Sequence, residues 1–394
     1  MNKKNLLGWL ASLLIISAVA YGDSQVENNP QIKEEGTITI SIPTHPSADT
    51  TNAFSIPGIN QNTAPRQSSA SKKITFNKVI LTPKQQEFLA QRAREKPPTL
   101  LPTLLMDISN TEIPLPTRAS IDMRNVSVLD QGEHGTCTTF AVTAALNVMG
   151  HYGDNYISQL CFLELTDFMH QENPKKYPSG WHGMYPNTAL QLIQSYGIIS
   201  NEYMKQHGCA NTYSYPLSKK SIGTLFPLEE YQQHSELPFK FRTKAIDIFY
   251  SSPTARTEIL TQVKRALSQH HLVILGFMLD TKHDTDGSYG SIHPFCPYPF
   301  TVCRASAGLD EGWIVTQDIR NDLQNKATSL GGHAIIITGY DDNAILFDMD
   351  NNKHQGVLTL RNSWGSDTGD HGNYYMSYEY FNLLGEDVFE IIPN

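Results

Sequence analysis

Asp130-Gln131-Gly132-Glu133-His134-Gly135-Thr136-Cys137-Thr138-Thr139-Phe140-Ala141 is the stretch on which the reading of this 394-residue chain turns. A glycine-containing turn delivers one cysteine. Apolar residues at helical spacing follow at once: Phe140, Ala144 and Val148, with Ala141 and Ala145 beside them. The spacing predicts a buried helix beginning at Cys137. In its first turn the unpaired backbone N–H groups and the helix dipole favour negative charge. A thiol there is expected to have a lowered pKa and to act as a nucleophile near neutral pH. Gln131 lies six residues upstream, so its amide and the Cys137 N–H are placed to donate to a developing oxyanion. A lone cysteine is more commonly a small core residue, so the catalytic reading depends on its partners.

Two downstream pieces supply them. Gly331-Gly332-His333-Ala334-Ile335-Ile336-Ile337-Thr338-Gly339-Tyr340 reads as a histidine opening a buried strand, and Leu360-Arg361-Asn362-Ser363-Trp364-Gly365 as a strand ending in a turn. Two more segments bear on the reading: Gly180-Trp181-His182-Gly183-Met184-Tyr185-Pro186, and Ile121-Asp122-Met123-Arg124. Taken in order, these five pieces resemble the papain family of cysteine peptidases over roughly residues 119 to 394. The resemblance implies an α+β, two-lobed fold, a helical lobe (about 120–240) facing a β-barrel-like lobe (about 241–394). The active site would lie in the cleft between them. It further implies Cys137 as nucleophile, His333 as its acid–base partner, Asn362 orienting His333, and Gln131 in the oxyanion hole. Gly183, Met184 and Trp364 would border the substrate, with Trp364 also shielding the Asn362–His333 bond.

The departures from the family are specific. Its C-G-[SA]-C-[WY] signature is here His134-Gly135-Thr136-Cys137-Thr138. The first cysteine of that signature bridges in the family to the cysteine of a G-C-N-G-G segment. Those positions are His134 and Trp181, so both halves of the bridge are missing together. Met184 replaces the segment's second glycine and is expected to crowd the wall that holds the substrate backbone. His333 and Asn362 also follow Cys137 by more than the family's roughly 130–150 residues. The surplus is assigned to an insertion at about 281–330.

The chain opens with Met1-Asn2-Lys3-Lys4, an apolar run from Leu6 to Val19 and Ala18-Val19-Ala20. This is the layout of a cleaved signal peptide over 1–20, and the run is short for a membrane span. A secreted protein is expected, periplasmic or extracellular if the source is bacterial. Of five cysteines, four can pair in an oxidising compartment, leaving Cys137 free. Cys296 and Cys303 close a short loop and are expected to bridge. The helix starting near Ser158 resembles a family helix whose cysteine comes one turn later, and by that resemblance Cys161 is expected to pair with Cys209. Net charge is −9, with no basic cluster, so neither nucleic acid nor an anionic membrane is an expected partner. Protein or peptide substrates are, and a monomer. Asp348, Asp350 and Asn352 imitate a calcium loop, but Lys353 holds the glycine slot and Thr359 the closing Glu slot. No metal or cofactor is expected.

Residues 21–115 are read as a pro-segment that acts as an intramolecular inhibitor. Gly36–Ile42 and Lys73–Leu81 alternate with period two and form a hairpin, about 36–81, with a long connection. Thr82-Pro83 caps a helix from Pro83 to about Glu95. Its Phe88, Leu89 and Ala93 make an apolar stripe, with Lys84, Arg92 and Lys96 in water. The proline-rich stretch from 97 to 116 is extended and is expected to cover Cys137. In the domain at 116–394, helices are predicted at 137–150, 158–170, 187–196 and 253–270, and strands at 271–279, 333–340, 356–362, 372–380 and 387–392. The function so read is peptide-bond hydrolysis by a secreted zymogen. Two alternatives are an occluded-cleft exopeptidase or narrow protease, and an inactive exported binding protein.

Overall fold

Apolar runs of two different periods divide the chain, and the computed structural model follows that division. It describes residues 31–44, 71–95, 114–218, 225–281, 312–347 and 352–394. At the N-terminal side, β1 (Gln31–Pro43) and β2 (Ser71–Ile80) pair antiparallel, and α1 (Pro83–Arg94) follows. Thr82 caps α1 through a reciprocal bond pair with Gln85, and Pro83 stands at its first turn, as the local sequence predicts. After β3 (Arg118–Ser120) come α2 (Cys137–Met149), α3 (Gln159–Glu172), α4 (Pro186–Tyr196), α5 (Asn201–His207) and α6 (Leu228–His234). Then follow β4 (Phe241–Asp247), α7 (Pro253–Ser268), β5 (Val273–Asp280), β6 (Gly312–Trp313), α8 (Gln317–Asn325), β7 (Leu330–Phe347), β8 (Lys353–Arg361), β9 (Asn373–Ser377), α9 (Tyr378–Leu384) and β10 (Gly385–Pro393). Helices first and strands second make an α+β fold.

Helix α2 is buried along all but its last residue, from Cys137 to Val148. Such a helix has no polar face and must sit inside. Even Asn147 is fully enclosed, its Oδ1 accepting from the Ile157 N–H at 3.1 Å. A disulfide joins Cys161 on α3 to Cys209 just beyond α5, with Cα atoms 5.2 Å apart. Cys137 is free. Cys296 and Cys303, with most of the expected insertion, lie outside the described residues, as do the signal peptide and the calcium-like Asp348 and Asp350.

The described strands form one ten-stranded sheet, ordered β4-β10-β5-β7-β8-β9-β6, with β2 and β3 also pairing on β7. β5 is buried at every position, which explains its unbroken apolar run. β7 is central and carries His333.

Some sequence expectations need correction. The strand expected at 372–380 stops at Ser377, whose side chain accepts from the Tyr380 N–H and starts α9. Tyr380, Phe381, Leu383 and Leu384 then satisfy a helical rather than an alternating pattern. Part of the 281–330 insertion is ordered, since Thr316 caps α8, and α8 packs on α1. Arg92 is not in water. It is 3% exposed, and its guanidinium donates to the carbonyls of Asn382 and Phe249. Those are acceptors at a helix end and in a loop, and satisfying them outweighs the arginine's preference for solvent.

Candidate active site

The site is assembled where the N-terminus of α2 meets β7 and the end of β8. His333 Nε2 lies 2.9 Å from Asn362 Oδ1. That oxygen also accepts the Ser363 backbone N–H at 2.8 Å, which settles which end of the amide faces the ring. Nε2 therefore carries the proton, and Nδ1 keeps a lone pair for acid–base work. The Trp364 indole stacks on the imidazole at 4.9 Å between centroids and is fully buried. It lies beside the His333–Asn362 bond. Its burial includes contact with Phe76 of the N-terminal hairpin at 5.7 Å.

Gln131 is fully buried, and both ends of its amide are engaged. Nε2 donates to the His134 carbonyl at 2.8 Å, and Oε1 accepts from Ser363 Oγ at 2.8 Å. The amide keeps one further N–H. Gln131 does not line the pocket that holds Cys137 and His333. The turn around it is tied to the other lobe by Gln131 N–H to Ser363 O at 2.8 Å. Tyr215, whose hydroxyl donates to Gln131 O at 2.7 Å and meets Thr136 Oγ1 at 2.9 Å, steadies it from within the helical lobe. Neither Ser363 nor Tyr215 is singled out by the sequence, although Ser363 stands inside the N-S-W-G segment.

His134 and Trp181, the positions of the missing bridge, are in contact. Their rings meet edge to face at 5.0 Å, and Tyr215 stacks on Trp181 at 5.8 Å. An aromatic cluster thus joins the two segments where a disulfide is absent. Trp181→Ala is expected to cost about 3–5 kcal/mol of stability, as for other buried aromatics, measured by denaturant unfolding. A loss under about 1 kcal/mol would show that the cluster does not hold the turn.

Met184 lines the pocket, but its side chain is 2% exposed and points into the helical lobe, its methyl 2.4 Å from where a Cβ on Gly180 would be. The expected crowding of the groove wall is therefore relieved by an inward rotamer. Gly183, at φ +107°, faces a different neighbour: a Cβ there would stand 2.1 Å from Asn77 Nδ2.

Asn77 belongs to β2, and this is the largest departure from expectation. β2 adds to the end of β7, pairing Asn77 with Gly332 and Lys78 with Gly331, immediately before His333. Phe76 packs edge-on against His333 at 5.6 Å and against Trp364 at 5.7 Å. Asn77 reaches between Gly135 and Gly183 and lines the pocket with Cys137. The hairpin itself covers the site; the stretch expected to do so, from 97 to 116, lies mostly outside the described residues. Lys72 secures the hairpin. Its ammonium pairs with Asp130 at 2.5 Å and Asp367 at 3.2 Å and donates to the Trp364 carbonyl at 3.0 Å.

Covering changes the electrostatics. Cys137 is 8% exposed, and burial pushes its thiol up despite backbone N–H donors at Ala334 and the helix start. Desolvation outweighs the helix terminus, opposite to the lowered pKa expected from position alone. Burial among Phe76, Phe277 and Trp364 likewise pushes His333 down to about 4, against the upward pull of Asn362. Among the described residues His333 Nδ1 has no hydrogen-bond partner. Both groups are thus neutral at pH 7. In the full chain the His333 ring signals should titrate near pH 4, because burial disfavours the imidazolium. An NMR titration centred near pH 6.5 would contradict the covered geometry.

No family model matches the chain. It is 22% identical over 258 residues to an uncharacterized peptidase C1-like protein of Acanthamoeba polyphaga mimivirus, covering 65% of each. Among solved structures, xylellain, a cysteine protease from Xylella fastidiosa, aligns at TM-score 0.44 and 17% identity, over 71% of this chain and 87% of that one. A digestive procathepsin L 3 of the Tenebrio molitor larval midgut aligns at 0.40 and 17%, over 79% and 82%. In the order of its Cys137, His333 and Asn362 segments the chain resembles the papain family, and its architecture is α+β.

Proposed function

We propose that the chain is a cysteine peptidase, exported and made as a precursor that its own hairpin keeps covered. The observation that carries the reading is the His333–Asn362 pair under Trp364, in one pocket with a cysteine at the start of a buried helix. Once uncovered, Cys137 passes its proton to His333 Nδ1 and the thiolate attacks a peptide carbonyl. The Cys137 N–H receives the oxyanion, and Gln131 holds the turn that carries Cys137 through its bonds to His134 and Ser363. His333 then protonates the leaving amine as the C–N bond breaks, giving a thioester. Water, deprotonated by the same nitrogen, hydrolyses it and restores the thiol. Asn362 keeps the ring in the tautomer that exposes Nδ1.

Export is supported by the Cys161–Cys209 disulfide, since such bonds persist in oxidising compartments. The precursor reading is supported by Phe76 and Asn77 standing over His333 and Cys137. The direct test is to process the full chain by limited proteolysis in the 96–113 stretch and incubate it with an unstructured protein. Peptide products together with a mass adduct on Cys137 from a thiol-reactive inhibitor are expected. Product formation that survives full alkylation of Cys137 would refute the reading.

A further inference from the structure

Thr136 stands at the N-cap of α2, yet it does not behave as other serine and threonine caps in the chain do. Thr82, Ser158, Ser252 and Thr316 hold ψ between 114° and 165°, and each hydroxyl accepts an N–H from its helix's first turn. Such caps satisfy amides that a helix leaves unpaired. Thr136 sits at φ −99° and ψ 15° and makes no bond of this kind. Its hydroxyl goes instead to Tyr215, with the oxygens 2.9 Å apart. The single tyrosine proton is spent on the Gln131 carbonyl at 2.7 Å, so Thr136 is the donor of the pair.

The tyrosine is held from several sides. Its segment is bridged to α3 through Cys209 and folded back by reciprocal bonds between Cys209 and Thr212 at 2.8 and 2.9 Å. Two residues beyond Tyr215, the Leu217 carbonyl accepts the Glu133 N–H at 2.8 Å. Phe140 meets the tyrosine ring edge to face at 4.9 Å, and Trp181 stacks on it. An uncapped first turn matters here because its amides face a nucleophile. Burial pushes the Cys137 thiol up, and the N–H groups of Ala334, Thr138 and Cys137 pull against it. A capping hydroxyl at 136 would take the N–H of Thr138 or Thr139, and the first of these serves the sulfur.

We propose that Tyr215 is a positioning residue for the nucleophile: it holds the Thr136 hydroxyl away from the first turn of α2 and leaves those amides to the Cys137 sulfur. The inference rests on the peptidase reading and deepens it, with the tyrosine acting through Thr136 rather than on substrate. No charge is involved. Burial pushes the Tyr215 hydroxyl well above its ordinary value, so it is neutral at pH 7 and below. The titratable groups lining the pocket with the thiol are His333 on β7, Glu386 and Asp387 on β10, and Tyr185 before α4. His134 stands in the thiol's own turn, and β2 contributes Phe76 and Asn77, which carry no charge. Removing the hydroxyl at 215 leaves all of them.

The test uses the full chain after limited proteolysis in the 96–113 stretch. The rate at which iodoacetamide alkylates Cys137 is followed against pH, beside kcat/KM for a fluorogenic peptide and the melting midpoint. Alkylation follows the thiolate fraction. In Tyr215→Phe, which keeps the aromatic stack, the inflection should rise by about one pH unit, equivalent to about tenfold less thiolate below it. On the acidic limb kcat/KM should fall about tenfold, with less change at its maximum. Valine at 136 has no hydroxyl to turn inward, so adding Thr136→Val to Tyr215→Phe should return the inflection to that of the unsubstituted chain. A role in stability alone would move the midpoint and leave the inflection in place. A folded Tyr215→Phe with an unmoved inflection, or a shift undiminished in the double variant, overturns this inference and, with cleavage retained, leaves the peptidase reading intact. If Tyr215→Phe does not fold, Thr136→Asn decides, because asparagine is a stronger cap. Its inflection should rise, and an unmoved one overturns the inference. No cleavage by the unsubstituted processed chain overturns both.

Discussion

Cys137→Ala is expected to lower turnover of the processed chain by about 10⁴-fold or more, the scale seen when one member of a catalytic unit is lost. The fold should persist. The free thiol behaves as a small buried hydrophobe, and alanine removes one atom from a helix start whose neighbours are already small, Thr138 and Ala141. His333→Ala should cost nearly as much, because nucleophile and base act as a unit and their losses do not add. Asn362→Ala should be milder. It removes the acceptor at 2.9 Å but leaves the ring stacked on Trp364 and flanked by Phe277. Turnover of an unstructured protein by the three processed variants, with melting midpoints beside it, measures this. Comparable cleavage by Cys137→Ala would remove the thiol from the chemistry, whatever the geometry around it.

The parts of this molecule that short-range sequence determines were legible, and those set by distant partners were not. The apolar run after Cys137 has one physical outcome, a helix buried all round, and α2 is that helix. Thr82-Pro83 and Ser158 announce helix starts because a cap is a contact between residues three apart. His333 and Asn362 stand in short segments and come together as the resemblance implies. By contrast, the alternation in β2 says that it is a half-buried strand and nothing about its neighbour. Pairing with Gly331 and Gly332 could not be read from residues 73–81. Arg92 looked solvated because its helix is amphipathic without it, whereas its acceptors lie 157 and 290 residues away. The His134–Trp181 contact was visible only as two missing cysteines. The bulge in β10 at Glu386, between the Gly385–Phe277 and Asp387–Gly276 pairs, depends on register with β5, which alternation along β10 alone does not reveal.

Loosening the hairpin should expose the nucleophile in the unprocessed chain. Phe76 is the key residue, since it is 1% exposed and touches both His333 and Trp364. A buried Phe→Ala change costs about 3–5 kcal/mol. Part of that is spent on docking of the hairpin, so the uncovered fraction should rise by about 100-fold or more. Lys72→Glu acts on the other end, setting a carboxylate against Asp130 and Asp367. Those pairs are partly exposed, so its effect should be smaller, about tenfold or less. The measurement is the rate at which a small thiol probe labels Cys137 in the full chain, followed against pH. Covered, the thiol is pushed up by burial, so labelling should climb only in the alkaline range. Uncovered, water and the amides at the start of α2 stabilise the thiolate while hydration lets His333 accept a proton, so the thiol moves down and the imidazole up. The inflection should then shift toward neutral pH in Phe76→Ala. Lys84→Glu, on the exposed face of α1, should leave rate and profile as they were. If Phe76→Ala labels at the rate and pH of the unsubstituted chain while remaining folded, the hairpin is not what keeps Cys137 silent.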